Sequence, residues 1–89
     1  MLVEQEQTDL RKRLKKIAGQ INGIDKMIDE GRYCIDIIQQ ILAAKAALNK
    51  VALMIVESHA KSCVVKAVQE DHGDESIDEL MNVLKQFNK

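Results

Sequence analysis

Between Tyr33 and Asp71 the chain contains neither glycine nor proline, and proline is absent from the whole sequence. An unbroken run of this length, filled with Ile, Leu, Val and Ala, predicts one long helix. Cys34, Ile38, Ile41, Leu48, Ala52, Ile55, His59 and Cys63 step along it in threes, fours and sevens, on one slowly drifting stripe. Before it, Leu10, Leu14, Ile17, Ile21, Ile24 and Ile28 alternate fours and threes. That spacing predicts a first helix from Thr8 or Asp9, either a suitable cap, to about Glu30. Gly31 then turns the chain. Gly19 and Gly23 inside the first helix call for a closely approaching neighbour helix, since glycine costs about 1 kcal/mol there relative to alanine. Asp71 to Asp74 break the second helix. A short third one runs from Ser76 to about Phe87, with Ile77, Leu80, Met81 and Leu84 on one face and Ser76-x-x-Glu79 as a capping box.

The expected fold is therefore all-α: one domain, residues 1–89, in which two long helices form an antiparallel hairpin and a short helix follows. Hydrophobic residues make up 46% of the chain and aromatic residues 2%. So much aliphatic surface on 89 residues exceeds what a lone three-helix chain buries, and an oligomer is expected. No apolar run reaches the roughly 20 residues of a membrane span, and the N-terminal segment lacks the basic-then-apolar order of a signal peptide. A cytoplasmic protein with reduced thiols is expected.

His59 and Cys63, in "HAKSC", lie four residues apart on one helical face, well placed to grip a soft metal ion. Cys34, the remaining cysteine, lies roughly 37 Å away along the same helix and cannot join them within one chain. It can do so between chains. If the second helix pairs antiparallel with its symmetry mate, Cys34 of one copy lies opposite His59 and Cys63 of the other. The two-fold axis then crosses Ala43-Ala-Lys-Ala-Ala-Leu48, whose small side chains permit a close crossing. Two thiolates and one imidazole suit Cu(I); with a fourth ligand they suit Zn(II) or Ni(II). A buried His or Cys taken singly is ordinarily structural. It is the coincidence of three on one stripe with an alanine-rich midpoint that carries the metal reading. Glu79 either caps the third helix or reaches toward this site.

Charge is unevenly placed. The first nine residues carry Glu4, Glu6 and Asp9 and no base; residues 10–50 carry nine bases against four acids; the remainder carries four bases against seven acids. The cluster Arg11-Lys-Arg-Leu-Lys-Lys16 is either a solvated face or a phosphate-contacting one. With so few aromatic residues to stack on bases, duplex backbone is the preferred nucleic-acid partner. Catalysis is not expected: Cys34 and His59 as nucleophile and base lack an accompanying oxyanion-type glycine turn.

The stretch "RLKKIAGQINGIDKMIDEGRYCIDIIQQILAAKAALNKVAL" followed by "HAKSC" resembles the copper-sensitive operon repressor family, which also contains nickel, cobalt, formaldehyde and persulfide sensors. The resemblance covers about Leu10 to Leu84. It implies a dimeric four-helix bundle pairing into a disc-shaped tetramer that represses an operon for metal efflux or handling. It further implies that operator double-stranded DNA is bound by basic helical faces without a helix-turn-helix. By the same resemblance Cys34, His59 and Cys63 form a trigonal Cu(I) site, with Cu(I) as the inducer. Tyr33 and Glu79 form the outer pair that links it to DNA affinity, and Arg13 and Lys50, with Lys16 a weaker candidate, contact the operator. Leu53 stands where some members carry Arg, so the contact set differs from theirs. Persulfide sensors have Cys in place of His59, formaldehyde sensors lack Cys63, and nickel and cobalt sensors add an N-terminal His that "MLVEQEQ" does not have. Cu(I) is thus the expected effector. A nickel, persulfide or other thiol-reactive inducer on the same fold, or a copper-buffering protein without a DNA role, are the alternatives.

Overall fold

The computed structural model describes residues 2–61, 66, 69, 70 and 73–86. Among these residues there is no strand. Three helices are delimited: α1, Glu4–Asp29; α2, Cys34–His59; and α3, Gly73–Gln86. The chain divides into two compact units, Val3–Leu53 and one formed mainly by Met54–Lys89.

In the first unit, α1 begins four residues before Thr8. Glu6 reaches back so that the Val3 N–H donates to its Oε1 (3.1 Å), which satisfies one of the amides that a helix start leaves open. Glu4 and Glu6 in the first turn also face the positive end of the helix dipole. The two residues expected to cap are inside the helix instead. The Thr8 hydroxyl donates to the Glu4 carbonyl (3.0 Å), and Asp9 pairs with Arg13. At the other end, Gly31 adopts φ +68°. Its N–H donates to the Ile28 carbonyl (3.1 Å) and the Arg32 N–H to the Met27 carbonyl (3.0 Å). This is a Schellman closure, and its left-handed residue is the expected glycine.

Leu10, Ile17, Ala44 and Val51 are buried. They sit at matching distances from the Gly31 turn, Leu10 with Val51 and Ile17 with Ala44, and half-buried Ile24 with Ile37 completes the seam. The stripe on α1 is therefore split. Leu10, Ile17 and Ile24 turn inward, while Leu14, Ile21 and Ile28 remain 42%, 54% and 60% exposed. Within the chain itself no close neighbour meets Gly19 or Gly23: a Cβ at either would meet nothing within 4 Å among the described residues. Four buried apolar side chains among the described residues are few for a chain of this size.

In the second unit, the α-helical part of α2 ends at His59, and Ala60 and Lys61 form a wider π-type turn. The expected continuation to Asp71 falls largely outside the described residues; within it, the Glu70 N–H donates to the Lys66 carbonyl (3.1 Å). α3 starts at Gly73, so Ser76 lies within its first turn and the Ser76–Glu79 capping box is not formed. Asp74 and Glu75 supply the negative charge that this helix start favours. Gly73, Ser76, Leu80 and Leu84 form the half-buried row, with Ile77 and Met81 exposed on its flank. No helix of the described residues is long and apolar enough to cross a membrane.

Candidate functional site

Tyr33 precedes α2 and its carbonyl accepts the Ile37 N–H (3.2 Å), so Cys34 occupies the first helical position. Both side chains face solvent, and the Cys34 thiol is free. Along α2 in this unit, Ile38, Ile41 and Leu48 are exposed with Cys34, while Ile37, Ala44 and Val51 face the hairpin seam. The stripe bearing the first expected ligand is thus one that α1 leaves bare.

In the second unit, half-buried His59 ends the α-helical part of α2 and lines a cleft of about 220 Å³ together with Ile55, Val56, Glu79, Leu80 and Val83. An imidazole and a carboxylate share a pocket whose other walls are aliphatic. With the capping role gone, Glu79 lines the same cleft as His59 from α3. Cys63 lies outside the described residues. Cys34 is the first residue of α2 and His59 the last. Among the described residues no three His, Cys, Asp or Glu side chains gather to hold a metal ion within one chain. Sequence reasoning did not single out Val56 and Val83, which complete the cleft wall. Ile55 and Leu80 carried the helical periodicity that could have found it.

Arg13, Lys16 and Lys50 are exposed; Arg13 and Lys50 lie toward the end of the hairpin remote from Gly31, and Lys16 lies at the middle of α1. Arg11, Lys12 and Lys15 are exposed beside them, so the basic surface covers most of the circumference of this part of α1. Arg13 is engaged: its Nε–H donates to Asp9 Oδ2 at 3.4 Å. Sequence reasoning missed this pair, although its i,i+4 spacing was in view.

An all-helical chain with soft donors on one helix and a basic face on the preceding one is of the class of helical metal-responsive regulators. The chain belongs to the metal-sensitive transcriptional repressor family, whose profile matches residues 6–86. It is 44% identical over 84 residues to the copper-sensing transcriptional repressor CsoR of Bacillus subtilis, covering 94% of this chain and 83% of that one. It is also 44% identical over 66 residues to the copper-sensing transcriptional repressor RicR of Mycobacterium tuberculosis, covering 74% and 69% of the two chains. The crystal structure of the copper-sensing repressor CsoR with Cu(I) from Geobacillus thermodenitrificans superposes with a TM-score of 0.93 at 47% identity, covering 100% of this chain and 93% of that one. The nickel-responsive transcriptional regulator InrS superposes with a TM-score of 0.77 at 32% identity, covering 90% of each chain.

Proposed function

We propose that the chain acts as one unit, residues 1–89, that represses transcription by binding operator duplex in its metal-free form and is released by Cu(I). The observation that carries this reading is the placement of a thiol and an imidazole at the two ends of α2, in a chain 47% identical to a copper-sensing repressor. Thiolate sulfur and imidazole nitrogen are the donors that Cu(I) prefers. Cys34 of one copy, with His59 and Cys63 of another, would hold the ion in a shared site, two per antiparallel dimer. The bare stripe of Ile38, Ile41 and Leu48 would be covered by the same pairing. Leu14, Ile21 and Ile28 on α1 leave further apolar surface for assembly of dimers into a tetramer.

Arg13, Lys16 and Lys50 would contact DNA phosphates, and the work would be cytoplasmic and non-enzymatic. His59 would carry the signal: one ring nitrogen would hold the metal, and the other would be available to Glu79, with which it shares a cleft, or to Tyr33 of the paired copy. By linkage, DNA weakens Cu(I) binding by the same factor as Cu(I) weakens DNA binding, typically about 1–3 kcal/mol of coupling.

A second reading, induction by a thiol-reactive species, is supported by the exposure of Cys34. One experiment separates the readings: a mobility-shift assay on the promoter duplex upstream of this gene with Cu(I), Zn(II), Ni(II) and a sulfide donor in parallel. Release by Cu(I) supports the proposal. Release by nickel but not copper overturns it, and release by the sulfide donor alone favours the thiol reading. Failure to bind any duplex leaves a copper-buffering role.

A further inference from the structure

The structural pattern around Arg13 bears on how tightly DNA is held. Because α1 starts at Glu4, the acids Glu4, Glu6 and Asp9 are fixed on the same helix as the bases Arg11 to Lys16. Asp9, Arg13 and Lys16 follow one another at i, i+4 and i+7 and so face the same way. Asp9 Oδ2 takes the Arg13 Nε–H at 3.4 Å, with side-chain exposures of 53% and 45% for Asp9 and Arg13. Lys12, the base on the other side, lines a shallow surface groove with Glu4, Glu6 and Asp9.

We propose that Asp9 occupies on Arg13 the place that a DNA phosphate takes in the complex, and so acts as an internal competitor that holds operator affinity down. This rests on the DNA-binding reading above. Two effects act in the same direction. The pair must open before Arg13 can donate fully to phosphate, and the freed carboxylate then lies beside the phosphate and repels it. An exposed pair is weak, so DNA can displace it. The penalty is correspondingly modest, about two- to five-fold in affinity for each Asp9 at the interface. It also has a salt signature. A carboxylate released on binding recruits a cation, which offsets part of the counterion release from DNA and flattens the salt dependence.

The test uses the full chain and fluorescence anisotropy on the promoter duplex across a range of salt. The proteins are wild type, Asp9→Asn, Arg13→Ala, the double variant, and Glu4→Gln as a control that removes an equal charge from the same helix without touching Arg13. Circular dichroism checks that helix content is unchanged. Asp9→Asn is expected to bind about two- to five-fold tighter with a steeper salt slope, Glu4→Gln to change less, and the gain to vanish in the Arg13→Ala background. The proposal is overturned if wild type binds and Arg13→Ala weakens it while Asp9→Asn binds equally or more weakly. It is also overturned if the gain survives without Arg13 or is matched by Glu4→Gln, because the effect is then general charge. If wild type shows no salt-dependent duplex binding, the underlying DNA reading fails with it.

Discussion

His59 and Glu79, from different helices, line one cleft of about 220 Å³ whose remaining walls are Ile55, Val56, Leu80 and Val83. A carboxylate set against an imidazole on aliphatic walls is suited to orienting the ring and reporting what the ring binds. On the proposed function Glu79 would position the ring and would not be a ligand. Glu79→Ala should leave the Cu(I) stoichiometry of the protein intact but reduce the effect of Cu(I) on operator affinity by about tenfold or more. Paired measurements of DNA affinity with and without Cu(I) check this. A variant that still released DNA fully would remove Glu79 from the signalling route.

Leu48 tests the assembly. It is 49% exposed within the chain, so a polar side chain there breaks little internal packing. In an antiparallel α2 pair, however, Leu48 falls near the two-fold axis, and Leu48→Glu would place two carboxylates close together in an apolar contact. Sedimentation analysis should show the variant dissociated to smaller species, with lower helix content by circular dichroism. An unchanged sedimentation coefficient would move the dimer contact away from this stripe.

Gly31 fixes the hairpin by a conformation that side chains resist. At φ +68° a Cβ costs about 1–2 kcal/mol, even though no neighbouring atom among the described residues lies within 4 Å of it. Gly31→Ala should lower the thermal midpoint by about 5 °C or more, measured on the assembled protein at fixed concentration. Gly23→Ala, at a helical position with equally open surroundings in the chain, should not lower it unless another copy packs there.

Much of the fold was legible because its signals are local. Helical periodicity, the absence of breakers and a glycine at Gly31 give two long helices and the turn between them, and "YC" with "HAKSC" carried the family resemblance. The start of α1 was not legible, since Val3 has no capping side chain and Glu6 supplies the bond from inside the helix. Nor was the division of the apolar stripes. A period identifies a face, but it cannot say that Ile17 is buried in its own hairpin while Ile21 is left exposed. The His59–Glu79 cleft depends on how the end of α2 meets α3, and the false capping signal at Ser76 pointed Glu79 elsewhere. For Cys63 the expectation rests on sequence and resemblance alone.

In the proposed function each metal ion is held between two chains. Two variants, Cys34→Ala and His59→Ala, each damage every site in their own dimers. Mixed in equal amounts and allowed to exchange, they form mixed dimers in which one site carries both lesions and the other carries none. Anaerobic Cu(I) titration against a competing chelator should then recover about a quarter of the wild-type high-affinity capacity, where each variant alone gives almost none. No recovery after verified subunit exchange would contradict the shared site and the antiparallel pairing with it.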